Sequence, residues 1–315
     1  MNSSIPDLAR GPWWGRRWLL LGLALCCASA YAQPPLPDRA HQARPPAGPQ
    51  DLLAKPWNVT RLSDGQPDVR GYWAPAKQGT YSLTDPSNGG APEVIRFHQL
   101  RAQGKLTPRW PSRVIDPADG QFPYRPWARA KQRLVEAHIL HPDRQEYVDP
   151  MARCLPDGVI RDPIWTGFEL EQFPGYVVFL FDQVHTFRVI PLQGQPHAPD
   201  TVKLWMSDSR GHWEGHTLVV DVTNTNGKAR LDNIGDFISA DAHITERITF
   251  VDHDTISYEW HVDDPRVYTR PWTLWAKFDR VHQNDPGYEQ WEEACHEYEQ
   301  NAESLLSAEE KARAR

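Results

Sequence analysis

The stretch from residue 243 to residue 262, HITERITFVDHDTISYEWHV, decides the fold. Apolar and polar residues alternate on both sides of its centre, and a period of two is typical of a β-strand with one buried face. The central Asp252-His253-Asp254 is a turn signal. Because so short a connection joins antiparallel neighbours, the stretch predicts a β-hairpin.

The same period of two runs through most of the chain after Phe168. The predicted strands are FELEQF (168–173), YVVFLFD (176–182), HTFRVIPL (185–192), VKLWMS (202–207), HTLVVDVT (216–223), HITERITFV (243–251), TISYEWHV (255–262) and YTRPWTLWAKF (268–278). Turns at Pro174-Gly175 and at Asp208 to Gly211 keep the connections short. We predict a mainly β fold, an antiparallel meander that closes into a lipocalin-like barrel or a curled sheet.

A single β-rich domain, 51–315, is predicted to hold this sheet, with covering helices at its N-terminal and C-terminal ends. Its three parts are an irregular and helical region (51–165), the antiparallel strands (166–282) and a C-terminal helix (287–311). The first part is predicted to contain a short strand at Val69–Trp73 and helices around Ala91–Gln103 and Ala128–His141. The last helix is predicted because apolar residues from Trp291 to Leu305 recur at spacings of three and four.

Residues 1–32 have the layout of a signal peptide. Basic residues precede a short apolar run, Trp18–Ala30, and Ala30-Tyr31-Ala32 offers a cleavage site before Gln33. The adjacent Arg16 and Arg17 also fit a twin-arginine signal, so a periplasmic or secreted protein is predicted by either route. A retained signal anchor, or lipid attachment at Cys26 or Cys27, is the alternative. The proline-rich segment 33–50 predicts a disordered tether.

The charge of the chain limits its partners. The formal net charge is −7, and Lys and Arg are scattered without a basic stripe. This pattern argues against binding of nucleic acid or of an anionic membrane surface. No segment approaches the roughly 20 apolar residues that a membrane span needs. The predicted partner is a small-molecule ligand or substrate.

Two cysteines, Cys154 and Cys295, remain after the leader. An even number of cysteines in an exported protein predicts a disulfide, here a single bond between these two. Cys295 also belongs to the apolar stripe of the predicted C-terminal helix. The alternative is a free buried thiol.

Several longer motifs resemble a large, functionally uncharacterised family of exported bacterial proteins. They are SDSRGHWEGHTLVVDVTN (207–224), HITERITFVD (243–252), DDPRVYTRPW (263–272), DGQPDVRGYW (64–73), RCLPDGVIR (153–161), QFPGYVVFLF (172–181) and ACHE (294–297). The resemblance covers most of the mature chain and implies no particular activity. This chain departs from the family pattern, which has Arg at position 212, Asp at 216, His at 238 and Gly-Asn after the Cys-His-Glu at 295–297.

His212, Glu214 and His216 have the spacing of ligands on one face of a strand. The resemblance argues against a metal site, because the family has Arg and Asp in place of the two histidines. We interpret the segment as a hairpin turn with solvated polar residues and with Trp213 packed below it. No metal and no other cofactor is predicted.

A glutamate and an arginine on apolar strand faces give the strongest chemical signal. Glu246 shares a face with Ile248 and Phe250, and burial of a carboxylate is costly unless it is paired. Arg270 falls on the aromatic face of the last strand, so we predict that it meets Glu246. Tyr258, Trp260 and Trp272 would line the cavity around the two residues. The alternative is a buried ion pair that only fixes strand register.

Three further residues are candidates for proton transfer or substrate binding. His243 and Asp221 would assist Glu246 as catalytic residues, and Arg188 would bind substrate together with Arg270. The alternative is that His243 and Asp221 face solvent. Glu259, His261 and Asp263 share the face opposite Tyr258 and are predicted to point outward.

No nucleophile elbow and no phosphate-binding loop is present in the sequence. The residues therefore predict an exported, cofactor-independent enzyme that performs acid–base chemistry in an aromatic-lined barrel pocket. A lyase, an isomerase or a hydrolase acting on a hydrophobic, aromatic or glycosidic small molecule would fit. The alternative is a periplasmic small-molecule binding protein without catalysis.

Overall fold

Ten antiparallel strands form one sheet in the computed structural model, within the residues that it describes: 48–53, 55–76, 81–84, 103, 111–139, 141–290, 293 and 295. The strands are β1 Gly71–Pro75, β2 Val114–Asp116, β3 Phe168–Phe173, β4 Tyr176–Leu180, β5 Phe187–Pro191, β6 Asp208–Glu214, β7 Thr217–Thr223, β8 His243–Asp252, β9 Thr255–Asp263 and β10 Trp272–Val281. The described α-helices are α1 Pro126–His138 and α2 Gly158–Trp165. The predicted signal peptide and almost all of the predicted tether lie outside these residues.

The strand order is β5-β4-β3-β1-β10-β9-β8-β7-β6, and β2 pairs with β10. The hairpin predicted at residues 243–262 is confirmed, since β8 and β9 pair antiparallel across a tight turn at His253 and Asp254. The two end strands, β5 and β6, come together and make the sheet a nearly closed barrel. The predicted mainly β barrel with covering helices is therefore confirmed.

The seam of the barrel lies between β5 and β6, which share no ladder of backbone hydrogen bonds in the part of the chain described. Side chains join them instead, because Arg188 Nε donates to Ser209 Oγ at 2.9 Å. Gly211 on β6 allows a close approach, since a Cβ atom there would lie 2.7 Å from Ile190 Cγ2 on β5. The closure of the barrel thus depends on side-chain contacts.

The boundaries of several strands differ from the prediction. Asp208 to Gly211, predicted as a turn, begins strand β6, and its glycine serves the close packing at the seam. The segment 202–207, predicted as a strand, is a loop with one isolated bridge at Leu204. Val202 and Leu204 are about 40% exposed there, so their apolar character does not place them in the core.

The last strand begins at Trp272 rather than at Tyr268. Pro271 precedes it and has no backbone N–H to donate to a ladder, which explains why Arg270 lies in the connecting loop. Strand β1 is displaced by two residues from the predicted Val69–Trp73.

Two helices cover the described part of the sheet. Helix α1 confirms the helix predicted at Ala128–His141 and buries Ala128, Gln132 and Val135. Helix α2 was not predicted, because Pro163 interrupts its sequence pattern. It packs on the barrel, and Trp260 Nε1 donates to the carbonyl of Val159 at 3.3 Å.

The helix predicted around Ala91–Gln103 lies outside the described residues, apart from Gln103. Residues 288–290 of the predicted C-terminal helix are not helical, and most of the remainder also lies outside the described residues. The predicted disulfide is confirmed, with Cys154 and Cys295 bonded and their Cα atoms 5.6 Å apart. No helix in the described ranges is long and apolar enough to cross a membrane.

Candidate functional site in the barrel interior

A buried ion pair joins β5, at one end of the strand order, to β8, the third strand from the other end. Arg188 on β5 and Glu246 on β8 are 2% and 0% exposed, and Arg188 Nη1 lies 3.0 Å from Oε1 and 2.8 Å from Oε2 of the carboxylate. Closure of the barrel brings the two residues together, because β5 and β8 are not neighbours in the sheet. The predicted pairing of Glu246 with Arg270 is wrong, and Arg188 is the partner.

Aromatic side chains surround the pair. Tyr258 and Trp260 are fully buried on β9, and their rings stack with centroids 3.7 Å apart. Beside these rings, Arg188 Nη2 and the Tyr258 hydroxyl make no well-aligned hydrogen bond within the described part of the chain. Glu246 Oε2 contacts Arg188 Nη1. Buried polar groups in native proteins are nearly always hydrogen-bonded, so this group can accept a polar ligand atom.

The electrostatics of the site favour proton transfer. Burial raises the pKa of Glu246, and the charge and hydrogen bond of Arg188 offset only part of that rise. Burial also raises the pKa of Tyr258 well above its ordinary value, and the nearby Glu246 carboxylate adds to the rise. For Arg188, burial lowers the pKa, but Glu246 and Tyr258 outweigh it and raise the pKa. The site therefore combines a basic carboxylate, a protonated phenol and a fixed cation.

Two of the predicted substrate-binding residues lie elsewhere. Arg270 is half exposed and holds Asp116 with Nη2 at 2.5 Å and 2.6 Å from its two carboxylate oxygens. Trp272 is fully buried, as predicted, and packs edge-on against Phe122 at 4.7 Å. It lies in an aromatic group with Tyr268 at 5.4 Å.

The structure does not bring the three predicted catalytic residues together. Side chains alternate along β8, so His243 faces outward while Glu246 faces the interior. Asp221 also lies on the outer face, where His243 Nε2 contacts its Oδ1. His197 completes an outer chain, with Nε2 2.8 Å from Asp221 Oδ2 and Nδ1 2.8 Å from Asp208 Oδ2.

This outer chain anchors a loop to the sheet. Burial raises the pKa of Asp221, but the hydrogen bonds from His243 and His197 outweigh it and lower the pKa. Both ring nitrogens of His197 face carboxylate oxygens, so the imidazole bridges Asp208 and Asp221. His197 and Asp208 were not predicted, because neither belongs to a periodic pattern that places it next to Asp221.

The His-x-Glu-x-His segment does not form a converging set. His212 Nε2 contacts Glu214 Oε1 at 3.2 Å, and Glu214 also pairs with Arg247 at 3.0 Å. His216 packs instead against Trp57, with ring centroids 5.2 Å apart. Among the residues that the structure describes, no group of three or more His, Cys, Asp or Glu side chains is arranged to hold a metal ion.

A second buried charged group, which sequence analysis missed, lies on and before α2. Arg161 is fully buried, with Nη1 3.0 Å from Asp149 Oδ1 and Nε 3.3 Å from Asp157 Oδ2. Burial raises the pKa of Asp157 to about 7 against the opposing charge of Arg161. Burial also raises the pKa of Asp162 well above its ordinary value. The signal available in the sequence was the concentration of charge in PDGVIRD.

The raised pKa of Asp157 predicts a pH dependence of stability. The folded state holds this proton up to about pH 7, because the pKa is raised, whereas the unfolded chain releases it near the ordinary pKa of 3.8. The free energy of unfolding should therefore fall as pH rises between these values, by up to about 1.4 kcal/mol per pH unit from this group. Asp157→Asn should flatten the profile, which urea unfolding at a series of pH values would measure. Parallel profiles for both proteins would contradict the assignment.

The fold and the site define a class in physical terms: an antiparallel barrel closed by side chains at one seam, with an Arg–Glu pair in an aromatic interior. In comparisons with known proteins, no family model, no curated protein and no solved structure matches the chain.

Proposed function

We propose that this protein is an exported enzyme of the family whose motifs it resembles, and that it performs acid–base chemistry on an oxygen-bearing small molecule inside the barrel. The observation that carries the proposal is the buried group of Arg188, Glu246 and Tyr258, in which Arg188 Nη2 and the Tyr258 hydroxyl make no well-aligned hydrogen bond within the described residues. The leader sequence supports export to the periplasm or beyond. The substrate class is a hydrophobic, aromatic or glycosidic compound, as the stacked Tyr258 and Trp260 favour.

Each of the three side chains has a distinct role in this proposal. Glu246 accepts a proton from the substrate, and its raised pKa brings it closer to the operating pH of a general base. Arg188 uses Nη1 to hold Glu246 and leaves Nη2 for a substrate oxygen on which negative charge develops. The Tyr258 hydroxyl, which stays protonated, donates a hydrogen bond to the same oxygen, and Glu246 returns the proton to the substrate at another atom or releases it to water. The chemistry rests on side chains of this chain alone.

The seam between β5 and β6 gives the substrate a path to these residues. Arg188 belongs to β5, and its Nε contacts Ser209 on β6, so the ion pair lies directly beside the seam. Separation of the two strands breaks side-chain contacts and leaves every ladder of the sheet intact. The cost of opening is therefore lower here than between any pair of hydrogen-bonded strands.

A binding protein without catalysis is the second candidate, and complete burial is the observation that favours it. Glu246, Tyr258 and Trp260 are all 0% exposed. An apolar ligand enclosed among them would dissociate into water slowly, as ligands of barrel-shaped carriers do. In that case the Arg188–Glu246 pair only binds the polar end of the ligand.

The test compares Glu246→Gln with Glu259→Gln. Glu259 is the neighbouring glutamate on β9, it faces outward, and burial raises its pKa as well, so it is a matched control. Mature protein would be incubated with aromatic, glycosidic and hydrophobic oxygen-bearing compounds, and products would be followed by mass spectrometry. We expect conversion of one class, a loss of at least 100-fold in kcat for Glu246→Gln, and none for Glu259→Gln.

A folded Glu246→Gln variant with full turnover would overturn the catalytic proposal. Circular dichroism and the unfolding midpoint establish that each variant is folded before activity is compared. Recovery of a bound compound chemically unchanged after long incubation would instead assign the protein to the binding class.

A further inference from the structure

A cavity lies outside the barrel interior, beside α1. Its volume is about 350 Å³, within the range of small-molecule sites. Three parts of the chain form it: α1, the short 3₁₀ segments Gln145–Tyr147 and Met151–Arg153, and the loop 227–237 that follows β7. None of the residues discussed in the barrel interior lines it, so it is a separate site.

The cavity is positively charged although the whole chain is negative. Four cationic side chains line it: Lys131, Arg153, Lys228 and Arg230. Glu146 is the one acidic lining residue, and its carboxylate pairs with Arg144 at 3.5 Å while remaining 64% exposed. Because the formal net charge of the chain is −7, its composition alone does not predict such a concentration of cations.

Two of the guanidinium groups have buried nitrogen atoms without a partner in the described part of the chain. Arg230 is only 7% exposed, and its Nη2 donates to the Glu146 carbonyl at 2.8 Å, while Nη1 makes no hydrogen bond. Arg153 Nε is buried and unpaired as well. Burial lowers the pKa of Arg230, and repulsion from Arg161 and Arg153 adds to this effect, while the charges of Asp149 and Asp232 offset part of it. An anion in the cavity would satisfy both guanidinium groups.

The remaining wall is apolar and partly aromatic. Tyr147, Leu134 and Val135 line one side, and Phe237 lines another. Lys131 lies over the Phe237 ring, with Nζ 4.4 Å from the ring centroid. A ligand that fits this wall needs an apolar or aromatic body in addition to its charge.

We propose that this cavity binds a small organic oxyanion, a carboxylate or phosphate attached to an apolar or aromatic body. The oxyanion lies between Arg153 and Arg230, where two unpaired N–H groups are available. The body packs against Tyr147 and Phe237, and Lys131 and Lys228 add attraction at the rim. The site is independent of the chemistry proposed for Glu246.

Isothermal titration of the mature protein with benzoate and with phenyl phosphate would test the site, and benzyl alcohol serves as the uncharged control. We expect one of the two anions to bind at least tenfold more tightly than the alcohol, and the stronger one identifies the oxyanion. Affinity should fall as salt is added, since the attraction is electrostatic.

Variants locate the binding. Arg230→Met should weaken it at least tenfold, and Lys131→Met should weaken it even if the buried Arg230 variant fails to fold. Arg133→Met is the matched control, because Arg133 is an exposed cation on the same helix and does not line the cavity. Equal affinity for the alcohol, or equal weakening by Arg133→Met, would overturn the proposal. Glu246→Gln should leave anion affinity unchanged, which separates this test from that of the catalytic proposal.

Discussion

Replacement of Glu246 by Ala should lower the free energy of unfolding by about 3 to 5 kcal/mol. The variant leaves Arg188 as an uncompensated cation that is 2% exposed among stacked aromatic rings. A lone buried charge costs more free energy in lost hydration than the ion pair contributes to stability. The decrease in the free energy of unfolding is therefore larger than the contribution of the hydrogen bonds alone. Urea unfolding of wild type and variant at one pH would measure the difference.

The double variant Arg188→Met/Glu246→Leu is the control for this prediction. It removes both charges and keeps similar side-chain volumes, so most of the lost stability should return. A double variant that is as unstable as Glu246→Ala would contradict the lone-charge explanation. Because the proposed chemistry needs both charges, the double variant should be stable and inactive, which separates a structural role from a catalytic one.

Local alternation explains why the interior position of Glu246 was predictable. A strand of period two assigns each residue to one of two faces, and apolar neighbours show which face is buried. The same rule placed Glu259 and His261 outward, where the structure also places them. These predictions need no knowledge of which strands are neighbours.

The partner of Glu246 was not predictable in this way, because it depends on the closure of the barrel. Arg188 lies 58 residues earlier in the chain, on an end strand that six positions of the strand order separate from β8. Strand β6 was missed for a related reason: Gly211 was interpreted as a turn signal, whereas it provides space for Ile190 across the seam. Long-range closure therefore produced both errors.

The disulfide carries the other large expected effect. Cys154 and Cys295 are separated by 141 residues, and the chain-entropy model assigns a loop of this length about 5 kcal/mol of stabilisation. This is an upper figure, because residual structure in the unfolded chain reduces the entropy that the bond removes. Reduction should lower the free energy of unfolding by up to that amount, measured by urea unfolding with and without a reductant.

The effect should also reach the cavity beside α1. Arg153 precedes Cys154, which ends the 3₁₀ segment in a left-handed conformation at φ 55°. Loss of the bond frees this residue to leave a strained region of backbone, and the neighbouring guanidinium loses its fixed position. Anion affinity should therefore fall in the reduced protein or in Cys154→Ser/Cys295→Ser, while Arg133→Met, which retains the disulfide, should keep it.

Two alkylated thiols in the denatured, unreduced protein would show that no disulfide forms, and unchanged stability after verified reduction would contradict the chain-entropy argument.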